Sequence, residues 1–452
     1  MSDAFMPLSL ADGFASVGHE AWAVLAQKVL GDQPLSSLTT ELDHGVCIQP
    51  LYTVDDARGR QGPVGSAGWD IRSLVNETEA ATANQVALEE LRNGATSLLL
   101  AGHHDLATVL NEVYLAMAPV ALIPGPQQKA QVDWLLNAWQ EINPADCAGA
   151  LGLDPLGVAA RWGGAPDWSQ LAEATQATSS LRAVRAVTVD ATVYAEAGAG
   201  PVSELAASLA TGVTYLRHLV DSGAKVDEAF AALTFTYTAD CDQFVTMAKL
   251  RAARRLWARV AQTSEAGDQS QHQTVVTSAA MLTRQDPWAN LLRSTVAAFS
   301  ASMGGADVVT VRPFDSALGQ PDEFGRRMAR NLQLVLAEES SLSSLIDPAG
   351  GSWFVENLTD QLAQAAWKEF QTVEAAGGAE EALASGRWAA EAETFAAARW
   401  ARIADGTEEI IGVTAYPDPQ ETPLLRPAAK DQPDGPLPLR RWAAPFESGG
   451  TA

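Results

Sequence analysis

The sequence predicts a (β/α)8 barrel carrying an N-terminal helical arm and a C-terminal proline-rich extension. Three observations predict it. Short, near-continuously apolar and β-branched runs recur from about residue 46, as expected of parallel strands buried on both faces. Helical patterns with recognisable ends separate them. Eight such alternations fit into about 340 of the 452 residues, close to the ~250 residues plus extensions of this architecture. A doubly wound open sheet has the same rhythm and is the competing arrangement.

The elements follow in order. Residues 1–44 read as an arm with one helix from Glu20 to Leu30, stopped by Gly31-Asp32 and Pro34. The barrel spans residues 45–404. Its expected strands are Val46–Tyr52, Thr96–Ala101, Val120–Ile123, Cys147–Leu153, Ala183–Val189, Ala231–Thr236, Thr274–Ala279 and Asp307–Val311. Ser203 is placed to cap a helix whose apolar stripe is Leu205, Leu209, Val213, Leu216 and Val220, ending at Gly223. Asp286-Pro287 reads as an N-cap followed by proline in the first turn, with Gly304-Gly305 ending that helix. Another stripe, Val355, Leu358, Leu362, Ala366, Phe370 and Val373, follows Gly350-Gly351-Ser352. In the last segment, residues 405–452, eight of the 23 prolines fall between Pro417 and Pro445. That density forbids a regular helix or central strand and predicts an extended linker or a belt on another surface.

Composition excludes several classes. Thirty basic against 55 acidic residues give a net charge of −25, which argues against nucleic-acid and anionic-membrane partners. The longest apolar run, Val113 to Ile123, contains Pro119 and falls far short of the ~20 residues of a membrane span. The N-terminus shows no basic region before an apolar stretch, and Cys47, Cys147 and Cys241 are scattered without a CxxC pair. A soluble protein of the reducing cytoplasm is expected, without a disulfide framework or structural zinc.

Candidate chemistry is sparse. Neither a P-loop nor a Rossmann glycine pattern is present. Gly350-Gly351-Ser352 could turn backbone amides toward an anion, but a tight turn feeding the helix explains it as well. His103-His104-Asp105 falls on the loop after the second strand, where a metal or acid–base role is conceivable and a solvated loop is the simpler expectation. Lys249, Arg251, Arg254, Arg255 and Arg259 form a basic row on one helix, either for a phosphate or a partner's carboxylates, or as a salt-bridged face.

Longer motifs carry more. Trp69-Asp-Ile-Arg72, Met247-Ala-Lys-Leu-Arg-Ala-Ala-Arg254 with Trp257, Thr283-Arg-Gln-Asp-Pro-Trp-Ala-Asn290, Met303-Gly-Gly305, Phe314-Asp315, Ala329-Arg-Asn-Leu-Gln333, Glu338-Glu339-Ser340 and Asp347-Pro-Ala-Gly-Gly-Ser-Trp-Phe-Val-Glu356 occur in this order. Together they resemble the methylmalonyl-CoA mutase family over roughly residues 45 to 400. The resemblance implies a barrel that takes up an acyl-CoA chain and a radical carbon-skeleton rearrangement driven by adenosylcobalamin. In the family's catalytic chain a tyrosine follows an "IRQY"-like segment. Here that segment is Ile71-Arg72-Ser73-Leu74, and Leu74 stands in the tyrosine's place. Thr192 and Val193 match the Tyr-His pair after the fifth strand, Thr274 and Val276 match a His and a Gln before the "TSG" block, and Ala232 matches a CoA-holding Arg. None of these replacements supplies the lost donor, acceptor or cation in kind. Arg72 and Thr234 keep the family's residue types as vestigial CoA contacts.

The family's cobalamin domain carries DxHxxG, whose histidine ligates cobalt. None of the six histidines here has a glycine three positions later, and only the run Ala444-Pro-Phe-Glu447 resembles the start of the linker to that domain. The resemblance therefore implies the small, non-catalytic subunit of a heterodimeric mutase without that domain. It binds no metal and no cobalamin through a histidine, and it is partnered by a large subunit that holds adenosylcobalamin and the acyl-CoA. The alternatives are the barrel chain of a split acyl-CoA mutase, whose cobalamin domain is a separate polypeptide, and a stand-alone pseudoenzyme.

Overall fold

The computed structural model describes residues 13, 17–59, 62–102, 105–267, 269–428 and 433–447. Eight parallel strands close into a barrel: β1 (Asp70–Val75), β2 (Ser97–Leu100), β3 (Val120–Leu122), β4 (Ala148–Leu153), β5 (Ala183–Asp190), β6 (Leu233–Ala239), β7 (Gln273–Thr277) and β8 (Val308–Thr310). Each strand pairs with its neighbours in sequence, and β8 returns to β1 through Thr310 beside Arg72. Helices cover the outside, the order that right-handed βα connections impose.

Seven strands overlap the expected ones; the first does not. Within Val46–Tyr52 only Cys47–Ile48 is extended, and it pairs antiparallel with Thr40–Glu41 outside the barrel. Pro50 cannot donate to a ladder, so the run could not serve as a central strand. The true first strand was hidden because it alternates: Asp70, Arg72 and Leu74 face inward, while Ile71 and Val75 enter the outer core.

Outward-facing residues meet the helices in one large apolar core. Leu98, Val120, Val187, Val189, Phe235 and Val275 are all buried there. The helix Pro201–Asp221 lies against this wall, but Ser203 does not cap it. Ser203 sits too far inside, and its hydroxyl bonds His44 and Glu391. The carboxylate of Asp43 does the capping instead, accepting from Val202 N (2.9 Å) and Ser203 N (3.1 Å). The helix Ala289–Met303 starts later than Asp286-Pro287 suggests, because Asp286 is left-handed (φ 47°) and its carbonyl closes a turn with Ala289 N. The helix Trp353–Ala375 begins as expected, with Ser352 accepting from Val355 N.

The C-terminal segment is a belt. Pro427 O accepts from Gln320 N; Gly435 N and Leu437 N donate to Arg161 and Ala160; Arg440 N donates to Glu196 O, and Trp442 N to Ala280 O. All these acceptors and donors lie beyond the C-terminal ends of β4, β5, β7 and β8, so the belt crosses the face where such barrels place their sites.

Candidate functional site

The barrel interior has two unlike walls. Leu99 (β2), Ala121 (β3) and Ala150 (β4), joined by Leu74 and Ile123, make an apolar wall. Opposite it stand Thr188 (β5), Thr234 and Thr236 (β6), Thr274 (β7) and Thr310 (β8). Between them lies a cavity of about 70 Å³. A single water needs ~10–15 Å³ of such space, so this volume takes only a handful of heavy atoms.

Polar side chains bonded to one another stand at each end. At the base, Arg72 donates from Nε to Ser97 Oγ (2.9 Å) and from Nη2 to Asp70 Oδ2 (3.3 Å). Burial pulls the Arg72 pKa below its ordinary value, and Asp70 opposes this. His272 bonds the Thr234 hydroxyl through Nδ1 at 2.8 Å. Burial lowers its pKa to about 4, with Asp307 opposing, so the ring is neutral at pH 7.

At the mouth, Asp190 accepts from Thr192 N (3.0 Å) and Oγ1 (2.6 Å). Burial raises its pKa against the pull of Arg161. Asp154 sits behind it, accepting from Asp190 N, Gly157 N and the Tyr215 hydroxyl. Burial first, and Asp190 second, push Asp154 up to about 7. A bulge between Ala150 and Leu153 swings this end of β4. Its Gly152 (φ 71°) has no alternative there: a Cβ would lie 2.3 Å from Leu122 O. Glu196 is the hub of the mouth. It accepts from Arg161 (3.2 Å), Arg312 (3.1 Å) and Ala279 N (3.2 Å). Burial opposes its charge, but the two guanidinium groups outweigh it and hold the pKa below the ordinary value.

The structure brings six of the eight residues matched to the family's site to this one cavity: Arg72, Leu74, Thr192, Thr234, Thr274 and Val276. The other two, Val193 and Ala232, are buried in the outer core instead. Sequence reasoning missed Thr188, Asp190, Thr236, Thr310 and Arg312, which also line it. Period two from Thr234 and Thr274 would have found the neighbouring inward positions.

The other candidates resolve into structural roles. Lys249 pairs with Glu204 and Thr238 O; Arg251 pairs with Asp347 and Glu356; Arg254 clamps the carbonyls of Gly304 and Gly305; Arg255 pairs with Asp360. Arg259 alone of the row is exposed. Gly351 N donates to Glu356 Oε1 and Gly350 N to Asp347 O, so these amides serve the turn. His103 and His104 lie outside the described residues, while Asp105 caps a short helix through Ala107 N.

A closed eight-stranded parallel barrel with helices covering its outside defines a (β/α)8 barrel protein. The comparisons with known proteins give the family. The methylmalonyl-CoA mutase family model matches residues 166–433. The methylmalonyl-CoA mutase small subunit of Streptomyces virginiae is 44% identical, over 97% of this chain and 77% of that protein. The small subunit of Propionibacterium freudenreichii subsp. shermanii is 38% identical, over 91% of this chain and 70% of that one. A probable small subunit from Mycobacterium bovis is 39% identical, over 93% and 72%. The chain belongs to the methylmalonyl-CoA mutase family.

Among the described residues no cluster of three His, Cys, Asp or Glu could hold a metal. His44 and His218 are turned to Glu391 and Glu380, and half-buried His272 bonds Thr234 at the base of the barrel. Among the described residues no helix is long and apolar enough to cross a membrane.

Proposed function

We propose that this chain is the small, non-catalytic subunit of a heterodimeric, adenosylcobalamin-dependent methylmalonyl-CoA mutase. A large subunit binds the cofactor and interconverts (R)-methylmalonyl-CoA and succinyl-CoA; this chain packs against it and supports it. Residues 1–44 serve as an arm, 45–404 as the barrel and 405–452 as the linker. The complex belongs in the cytoplasm, where Cys47, Cys147 and Cys241, all free, stay reduced.

The barrel cavity carries this reading. Sites that bury a ligand of cofactor size occupy ~300–1,000 Å³, whereas this one offers about 70 Å³. Leu74 and Val276 line it where the catalytic chain's polar groups are implied, and neither side chain can donate or accept a hydrogen bond. Thr192 keeps a hydroxyl, but it is spent on Asp190. The two vestigial contacts are similarly turned away: Arg72 toward Asp70 and Ser97, Thr234 toward His272. Binding and turnover both need groups that converge on the thioester, and these residues converge on one another.

The test is a mutase assay with adenosylcobalamin and methylmalonyl-CoA. This chain alone should show no turnover, and neither should Val193→His, since Leu74 and Val276 remain. A large subunit assayed with and without this chain should need it for stability or full activity. Turnover by this chain alone, or by Val193→His freed of large subunit, contradicts the proposal.

A further inference from the structure

We propose that His44 is a proton-operated latch: its charged ring, held between Glu391 and Glu369, fastens the root of the N-terminal arm to the outer helices, and loss of the proton loosens it. The latch lies outside the barrel interior and stands whether or not the chain joins a mutase.

The ring sits where three helices meet. Ser203 belongs to the helix Pro201–Asp221, Glu369 to Trp353–Ala375 and Glu391 to Arg387–Ala404. His44 Nε2 lies 2.9 Å from Ser203 Oγ and 3.0 Å from Glu391 Oε1, while Nδ1 lies 3.9 Å from Glu369 Oε2. Ser203 donates its one hydroxyl proton to Glu391, so its oxygen can only accept from the ring. Nε2 therefore carries a hydrogen. A neutral ring would then turn the Nδ1 lone pair toward the Glu369 carboxylate, whereas a charged ring presents an N–H to both acids. The bond to Glu391 accordingly raises the His44 pKa above its ordinary 6.5; burial opposes it, and the charges of Asp43, Glu391 and Glu369 add to it. Burial also disfavours the Glu391 charge, but its bonds to His44 and Ser203 outweigh this and hold its pKa below the ordinary value. Arg387 works against the ring's charge by pairing with the other oxygen of Glu369.

The surroundings define what the latch holds. Asp43 caps the helix Pro201–Asp221, and the strand pair Thr40–Glu41 with Cys47–Ile48 brackets Asp43 and His44. His44 itself has a left-handed backbone (φ 51°), which the contacts of its ring help to maintain. The helix His19–Leu30 that precedes this root has no buried residue, so the described part of the arm depends on the root for its hold on the barrel. The side chains of His44, Glu369 and Glu391 are 25%, 15% and 19% exposed, open enough for water to exchange the proton. Because closure raises the ring's pKa, the latch is fully closed below about pH 6.5 and is lost as pH rises through the closed-state value. Asp43, at about 6, titrates below that window.

The experiment uses the full chain from about pH 6 to about pH 9. NMR follows the His44 ring proton, assigned by its loss in His44→Gln, and hydrogen exchange, corrected for the intrinsic effect of pH, follows residues 40–48. His44 should titrate above its ordinary 6.5. Opening of the root should rise between 6.5 and that value, by at most about tenfold per pH unit, and then level off, as release of one proton requires. Glu391→Gln keeps an acceptor for the ring but removes a charge, so it should bring both transitions down together toward 6.5. His44→Gln keeps an N–H donor without the charge, and opening of its root should be level across the window. If His44→Gln does not fold, Glu391→Gln decides alone. A ring that titrates at or below 6.5, a root indifferent to that titration, or transitions unmoved by Glu391→Gln overturns the proposal and leaves His44 as a packing contact.

Discussion

Two sets of buried polar side chains can be compared: the basic row on the helix Gln243–Thr263 and the threonine wall inside the barrel. The basic row stands out in the sequence as a functional patch and proves to be mortar. Lys249, Arg251, Arg254 and Arg255 each end on a carboxylate or carbonyl of the neighbouring elements. The threonine wall reads as ordinary strand sequence, yet Thr188 and Thr274 line a cavity, and the Thr310 hydroxyl is buried with no hydrogen-bond partner among the described residues. Residue type did not separate the two; leftover hydrogen-bonding capacity did.

The largest expected effect breaks the paired set. Glu204 and Lys249 are both buried and bonded to each other and to Thr238. Glu204→Ala strands an ammonium group in the core and should cost about 3–5 kcal/mol, read by urea denaturation. A loss below about 1 kcal/mol would mean that the row is solvated after all. Glu356→Gln should cost less, because Arg251 keeps Asp347 and Thr359.

A pH experiment sharpens the comparison with a group that is bonded but still disfavoured by burial. Burial pushes Asp43 from 3.8 up to about 6, against the pull of Ser203 N and His44. Between those values the folded protein keeps a proton that the unfolded chain has released. The burial cost is therefore absent below about pH 4, grows through the window, and is fully present above about pH 6, with a slope of at most ~1.4 kcal/mol per pH unit. Asp43→Asn keeps an acceptor for Val202 and Ser203, so it should flatten the fall in stability from pH 4 to 6. An unchanged profile would show that Asp43 titrates normally.

The smallest effect concerns the open set. Thr310→Val removes a buried hydroxyl that has no partner among the described residues. Stability should stay within about 1 kcal/mol of the parent or rise slightly, whereas removing a bonded hydroxyl would destabilise. A drop of more than about 2 kcal/mol would show that the hydroxyl is bonded, and would close the gap between the two sets.

Much of this was legible in the chain. Strands β2–β8 are runs of apolar and β-branched residues, threonine included, because both faces of each strand are largely covered. Strand β1 escaped because its inward face carries Asp70 and Arg72, which look polar until the base network that holds them is known. Leu74, Thr192, Thr274 and Val276 could be named from motif register alone, and they meet in one cavity. Glu196 could not: nothing local marks it, and its role depends on Arg161 and Arg312, which lie 35 and 116 positions away. Nor could Asp43 be recognised as the cap of a helix whose Val202 lies 159 positions downstream. Local pattern reports periodicity; it does not report which distant charge arrives to complete a pair.

The central claim is that this barrel supports a catalytic partner rather than performing the rearrangement. Its most direct test is the native mass of the chain purified gently from its own cells, with the companion identified. The account predicts near one-to-one association with a longer chain carrying the family's Tyr, His and DxHxxG. A companion consisting only of a short cobalamin-binding chain, or no companion at all, would contradict it.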